Sequence, residues 1–329
     1  MKYDIHVFVC SLSFLLCNVS VVNDGGAAVS VDSYSVRYEY VAEWGVFGTA
    51  DGEFNRPSDL AIATNGDVYV VDYYNNRIQY FTANGSFRGA WGSRGDGAGE
   101  FGSVTGLAVV GRGPVYVVDR GNKRVQLFDL TGRFIESWPA GFEREYTFDD
   151  DISDIAVSDN GDVYITETGS GRNDVLRFTP NGILVDEWHL ERWGRPGFNF
   201  FLSDIAVGRD GSVYVGLADE VTKVRRYSPD GDLINEWGSA GTGVGEFIDP
   251  GDISIALDGT VFLTDPYSSR IHYFTAEGSF VGTFGSAGSE PGEFNFPYGV
   301  SVGPDDTVYV ADSCNHRIQY FKPVTSNEP

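Results

Sequence analysis

One phrase repeated six times at near-constant spacing, four short apolar runs in every repeat, and turn dipeptides between those runs predict an all-β fold. Its architecture is a six-bladed β-propeller with four-stranded antiparallel blades. The phrase reads DVYVVD at 67–72, PVYVVD at 114–119, DVYITE at 162–167, SVYVGL at 212–217, TVFLTD at 260–265 and TVYVAD at 307–312. Its aromatic centres are Tyr69, Tyr116, Tyr164, Tyr214, Phe262 and Tyr309, at successive separations of 47, 48, 50, 48 and 47 residues.

The first unit shows how each blade is written. DLAIA (59–63) is followed by the turn TNGD, then VYVV (68–71), RIQYF (77–81), a second turn at TANG, and SFRGAWG (86–92). Asn-Gly and Asp-Gly pairs supply the positive-φ residues that tight hairpins require. DNGD, RDGS, LDGT and PDDT repeat the first turn, and TPNG, SPDG and TAEG repeat the second. LAIA and VYVV do not alternate apolar with polar, so both faces of those strands must be covered, as they are when blades pack radially. No segment carries sustained helical periodicity. The sixth unit stops after its third run, RIQYFKP (317–323), whereas YEYVAEWGVFG (38–48) matches the fourth runs of other units. The N-terminal strand is therefore expected to complete the last blade and close the ring, which removes an exposed sheet edge. This gives one domain over residues 31–323, an apolar leader and linker over 1–30, and a tail over 324–329.

Two stretches, GEFNRPSDLAIATNGDVYVVDYYNNRIQYF and GEFNFPYGVSVGPDDTVYVADSCNHRIQYF, resemble NHL repeats. The likeness covers almost the whole chain after residue 40. Units three and four depart most, because TETGSGRNDVLRF and GLADEVTKVRRY lack the Asp-x-x-Asn-x-Arg phrase. The resemblance implies a six-bladed propeller. It also implies a role that NHL domains often play, substrate recognition within a ubiquitin-ligase assembly. No Cys/His RING pattern is present here, so that role would need a separate partner.

Composition narrows the partners. A formal charge of −24 argues against nucleic acid, which needs a basic surface to meet phosphates. Lysine occurs only at positions 2, 123, 223 and 322. Residues 5–22 form an apolar stretch behind Lys2, which reads as a signal peptide or short anchor. Export to the extracellular space or cell surface is the expectation, with N-terminal membrane association as the variant. Cys10 and Cys17 lie in that stretch, which leaves the propeller with Cys314 alone and no internal disulfide. NVS at 18–20 and NGS at 84–86 are glycosylation-type sequons. The chain is expected to be a monomer.

The functional face is set by strand order. The first strand of each unit lines the channel, and the loops entering it emerge beside the loops after the second strand. The entering loops are long, at 92–104, 139–152, 189–202 and 238–250, and loops on a rigid scaffold are where binding concentrates. The first strands begin SDLA, TGLA, SDIA, SDIA, GDIS and YGVS. They place Asp59, Asp154, Asp204 and Asp252 at equivalent positions, with Gly106 and Gly299 in the other two units. Converging carboxylates raise one another's pKa or call for a cation, and oxygen donors suit Ca2+ or Mg2+. The competing reading is turn chemistry, each Asp capping backbone N–H groups at a strand entrance. A second acidic series, Asp72, Asp119, Glu167, Asp265 and Asp312, is followed five residues on by Arg in four units and reads as structural. Tyr73, Tyr74, Arg120, Tyr267, Tyr298 and His316 sit on the same face and are the ligand-contact candidates. The acidic run at 149–151 lies there too and would steer a basic partner. Trp91, Trp138, Trp188 and Trp237 end the fourth strands and read as packing residues.

Catalytic patterns are weak. Zinc chemistry needs about three protein ligands and an open position. Of four histidines, His6 is in the leader, His272 is mid-strand, and His189 and His316 fall on opposite sides of the ring, so no multi-blade histidine site forms. No Ser-His-Asp order is supported, and GDGAGEFG opens no helix and is no phosphate loop. The sequence thus points to a non-catalytic propeller recognising a protein, peptide or glycan through its acidic loop face. The alternative is a hydrolase or lyase using a divalent metal on the four aspartates.

Overall fold

The computed structural model describes residues 21–22, 28–29, 34–139, 151–169, 172–190, 201–218 and 222–327. Six four-stranded antiparallel sheets follow one another around a ring. Blade 1 comprises Pro57–Ile62, Val68–Asp72, Arg77–Phe81 and Phe87–Trp91. Blade 2 comprises Val104–Val109, Val115–Asp119, Arg124–Phe128 and Phe134–Pro139. Blade 3 runs through Asp151–Val157, Val163–Gly169, Arg172–Phe178 and Leu184–His189. Blade 4 runs through Phe201–Val207, Val213–Ala218, Lys223–Tyr227 and Leu233–Trp237. Blade 5 is Ile253–Ile255, Val261–Asp265, Arg270–Phe274 and Phe280–Phe284.

Blade 6 takes three strands from the end of the chain, Pro297–Val302, Val308–Asp312 and Arg317–Asn327, and its outer strand from the start, Tyr34–Trp44. The two outer strands pair antiparallel from Ile318↔Trp44 to Asn327↔Tyr34, which is the expected closure. The pairing runs on to Asn327, into the stretch read from sequence as a tail. A two-residue pairing of Val21–Val22 with Ala28–Val29 precedes the ring. The remainder of the leader, with Cys10, Cys17 and the sequon at 18–20, lies outside the described residues. So do 140–150 and 191–200, which hold most of two of the long entering loops and the acidic pair at 149–150.

Helix among the described residues is confined to three single 3-10 turns, Tyr73–Asn75, Arg120–Asn122 and Ser313–Asn315; none is long and apolar enough to cross a membrane. Every residue of Val68–Asp72, Val115–Asp119, Val261–Asp265 and Val308–Asp312 is buried. That is the consequence of the non-alternating apolar runs. Six clusters of buried apolar side chains fill the gaps between neighbouring blades. One joins Tyr69 and Val71 of blade 1 to Val104, Leu107 and Val117 of blade 2. Another closes the ring between Leu60 and Val70 of blade 1 and Tyr309, Ala311 and Ile318 of blade 6. Each such side chain contributes roughly 1.5–3 kcal/mol when fully buried.

Blade-to-blade register is fixed by tryptophan against glycine. The indole of Trp138, at the end of blade 2, lies on the outer turn of blade 3, where a Cβ on Gly182 would stand 2.6 Å from the ring. Gly182 also has φ +74, so both the turn and the close approach require glycine. Trp44, Trp91, Trp188 and Trp237 meet Gly85, Gly132, Gly231 and Gly278 in the same way.

Three members of the second acidic series, Asp72, Asp119 and Asp312, are structural, as the sequence indicates. Asp72 is fully buried. Its Oδ2 accepts from Arg77 Nε at 2.7 Å, Asn75 Nδ2 at 2.9 Å and Gln79 Nε2 at 3.2 Å, while Oδ1 accepts the Asn55 N–H at 2.7 Å. Asp119 with Arg124 and Asp312 with Arg317 repeat the network.

Candidate functional site

At the point where the inner strands of blades 1, 2, 3, 4 and 6 reach the channel mouth, their pairing with the second strand slips. The register shifts fall between Pro57 and Asp59, Val104 and Gly106, Ile152 and Ile155, Leu202 and Asp204, and Pro297 and Val300. A bulge of this kind re-aims the side chain it carries. The aspartates at this level reach sideways around the ring in three blades. Asp154 Oδ2 accepts the N–H of Ile205 in blade 4 at 3.2 Å, Asp204 Oδ2 accepts the N–H of Ile253 in blade 5 at 2.5 Å, and Asp252 Oδ2 accepts the N–H of Val300 in blade 6 at 2.6 Å. Asp59 instead accepts the N–H of the following residue, Leu60, at 2.6 Å. The capping reading therefore holds in an altered form: three of the four amides belong to the next blade rather than to the local turn. Gly106 and Gly299 break the series because there is no room. A Cβ on Gly106 would meet Asp154 Oδ1 at 2.3 Å, and one on Gly299 would meet the Asp59 backbone at 2.9 Å.

Capping uses only part of each carboxyl. All four aspartates border one cavity of about 540 Å3 at the channel mouth. Asp204 hydrogen-bonds to both Asp154 and Asp252. Burial, and then the charges of Asp154 and Asp252, hold the Asp204 carboxyl well above the usual carboxylate range. Burial and the same two neighbours do likewise for Asp59, and burial pushes Asp252 up to about 7. The ring thus retains protons in weakly acidic solution, with Asp204 as the central donor between two carboxylates. A cation arriving here would take the place of those protons. On the blade 1 and 2 side, Asp59 Oδ2, Ser58 Oγ and Thr105 Oγ1 are buried without a hydrogen-bond partner, and all three residues line the cavity.

Above this acidic floor stands an aromatic rim. Tyr73, Tyr74, Tyr267, Phe296 and Tyr298 line the cavity, as do Arg56 and Arg120. Tyr73 and Tyr74 meet edge to face at 5.0 Å, Tyr267 and Phe296 at 5.3 Å, and Arg56 lies over the Tyr74 ring at 5.8 Å. Tyr74 and Tyr267 remain 55% and 63% exposed, so both rings offer surface to a ligand, Tyr74 with Arg56 already over its ring. Burial, then the charge of Asp204, pushes the Tyr298 phenol up to about 12; it stays a neutral donor. Arg56 and Phe296 occupy equivalent positions in blades 1 and 6, and both are left-handed, at φ 55 and 59. Non-glycine residues in that region store strain of order 1–3 kcal/mol each, and such strain collects at functional sites.

Nine of the ten side chains picked out by sequence thus surround one cavity. His316 stands apart from its walls. Its Nδ1 accepts the Arg56 N–H at 3.1 Å, and its ring meets Phe47 at 4.9 Å. It holds Arg56 in place instead of facing the opening. Arg56 and Phe296 went unnoticed in the sequence, although their place before a proline in N-R-P and N-F-P marks them as backbone-special.

A ring of this construction defines a six-bladed β-propeller with a cavity at one channel mouth. The propeller carries NHL repeats: the NHL repeat pattern matches residues 54–81 and 294–321. Over 49 residues it is 41% identical to the B-box type zinc finger protein ncl-1 of Caenorhabditis elegans, a match spanning 15% of this chain and 6% of that protein. Among solved structures, a streptogramin B lyase superposes with a TM-score of 0.57 at 15% identity, covering 88% of this chain and 98% of its own. A gluconolactonase from Xanthomonas campestris superposes with a TM-score of 0.60 at 10% identity, covering 83% and 88%. At these identities the two structures establish the shared fold.

Proposed function

We propose that the protein is a binding propeller whose channel-mouth cavity receives a positively charged group, a lysine or arginine side chain of a protein or peptide partner. The observation that supports this is the pairing of a four-carboxylate floor with an open tyrosine rim in one cavity. Carboxylates supply the charge complement for an ammonium or guanidinium, and tyrosine faces supply cation–π attraction of about 0.5–2 kcal/mol. The formal charge of −24 would raise the encounter rate of basic partners.

A divalent-metal hydrolase or lyase at the same place is the alternative. A Ca2+ ion bonds oxygens at about 2.3–2.6 Å, so its ligand atoms lie within about 5 Å of one another. Among the described residues, the side chains that bring three ligand atoms within 4.8 Å of one another are Asp174, Glu187 and His189, not the channel aspartates. An organic cation needs no such convergence of three ligand atoms, since its hydrogen bonds near 2.9 Å can go to one or two carboxylates at a time. The test is calorimetric titration of the full chain with tetra-arginine and tetra-lysine peptides against a tetraglutamate control. Binding that falls at least tenfold in an Asp204→Asn, Asp252→Asn double variant supports the reading. Absence of binding, or equal binding by the double variant, overturns it.

A further inference from the structure

Blade 3 departs from an ion-pair pattern that blades 1, 2 and 6 share. At the loop-facing end of blades 1, 2 and 6, the last residue of the second strand is a buried Asp, and the first residue of the third strand is the Arg opposite it. The resulting pairs are Asp72–Arg77 at 2.7 Å, Asp119–Arg124 at 2.8 Å and Asp312–Arg317 at 2.8 Å. In blade 3 the register places Glu167 opposite Asp174. The position that carries arginine in blades 1, 2 and 6 carries the carboxylate of Asp174 here. Asp174 is 2% exposed, and a buried carboxylate is held by hydrogen bonds, a paired cation or a metal ion.

The neighbouring outer strand brings suitable ligands. Asp174 pairs in register with His189, and Leu176 with Glu187. Side chains two apart on a strand share a face, so Glu187 and His189 project on the side where Asp174 meets the imidazole. His189 Nδ1 lies 2.9 Å from Asp174 Oδ1. One ligand atom from each of Asp174, Glu187 and His189 lies within 4.8 Å of the other two. The geometry points to a divalent-cation site on blade 3, zinc by its chemistry, clasped by Asp174, Glu187 and His189 across the third and outer strands.

The donor set selects the ion. One imidazole nitrogen and two carboxylate oxygens suit zinc, whose bonds to such atoms are about 2.0–2.2 Å; calcium and magnesium prefer oxygen alone. Two carboxylates and a neutral imidazole balance the charge of Zn2+. Adjacent ligands on one zinc stand about 3 Å apart, the spacing Asp174 and His189 already have. The His189 side chain is 68% exposed, which leaves a path for the ion and for a water as fourth ligand. Leu190 N–H bonds Asn173 O at 2.9 Å just beyond, so the ion would tie off the outer edge of blade 3 where the chain departs for blade 4. The site shares no residue with the channel-mouth cavity.

The test is titration of the full chain, first stripped with chelator, with Zn2+ alone and then with Co2+, whose visible absorption reports an imidazole–carboxylate shell. The expected result is one equivalent of Zn2+ bound, a Co2+ spectrum displaced by Zn2+, and at least a tenfold loss of affinity in both His189→Ala and Asp174→Asn. His189 is exposed enough for its alanine variant to fold, and Asp174→Asn keeps the side-chain shape. Asp204→Asn should leave the binding unchanged. No Zn2+ binding by the parent chain, equal binding by His189→Ala, or loss of binding in Asp204→Asn would each overturn the assignment.

Discussion

Arg317, in the third strand of the last blade, reaches Glu43 of the N-terminal strand with Nη1 2.9 Å from Oε2, across 274 residues of sequence. The same guanidinium bonds buried Asp312 through Nε at 2.8 Å and the carbonyls of Glu290 and Glu293 through Nη2. The two partners are not equal. Asp312 is fully buried, whereas the Glu43 side chain is 33% exposed. Arg317→Leu should therefore cost about 3–5 kcal/mol by stranding a buried carboxylate. Glu43→Gln should cost less than about 1 kcal/mol. Urea unfolding of the two variants checks the asymmetry; equal losses would contradict it.

The channel aspartates make stability depend on pH in a definite direction. The Asp252 carboxyl, ordinarily near 3.8, is raised to about 7, and those of Asp59, Asp154 and Asp204 are raised too, burial being the main cause. In the window between, the folded ring holds protons that the unfolded chain has released. Its contribution is complete below about pH 3.8 and fades as pH climbs through about 7. Removing one raised group should flatten that decline. Urea unfolding at pH 4.5, 6 and 7.5 for the parent chain and Asp252→Asn tests this, and parallel pH profiles would refute it.

The Trp138–Gly182 contact carries a prediction about register. Trp138 is buried against Phe178 and Tyr116 as well as the turn glycine. Trp138→Ala should lose about 3–5 kcal/mol. Gly182→Ala should also destabilise, since the added methyl meets the indole and φ is positive. A Gly182→Ala protein as stable as the parent would show that the ring can slide away.

The rim separates recognition from folding. Tyr267 touches Phe296 but is 63% exposed, so Tyr267→Ala should change stability by no more than about 0.5 kcal/mol. Its affinity for tetra-arginine should fall roughly fivefold, or about 1 kcal/mol. Melting curves and calorimetry on one sample decide whether the two effects part.

The sequence states the blades so clearly because their requirements are local. An Asn-Gly turn, a run such as VYVV and an Asp five residues before an Arg each declare a hairpin within about a dozen residues. The channel ring was legible as a column of aspartates. The destinations of their oxygens were not, because Asp204 meets Ile253 only after two blades pack. His316 misled for the same reason: a turn residue with a ligand-like side chain is indistinguishable, in sequence, from one that props up Arg56 from the adjoining blade. The blade 3 triad was overlooked because His189 was weighed against histidines in other blades. The useful signal was the arginine position of the repeat, occupied by Asp174.

The shared last blade also sets a timetable. Residues 34–44 leave the ribosome before any other strand of the ring, and their partner, 317–327, comes last. At about 5–20 residues per second, the interval is roughly a quarter of a minute to a minute. Throughout it, five blades can assemble from neighbouring hairpins while the first-made strand stays an open edge, available to any other strand that passes. Glu39 and Glu43 on that strand place negative charge along the waiting edge, a feature that discourages premature pairing between nascent copies.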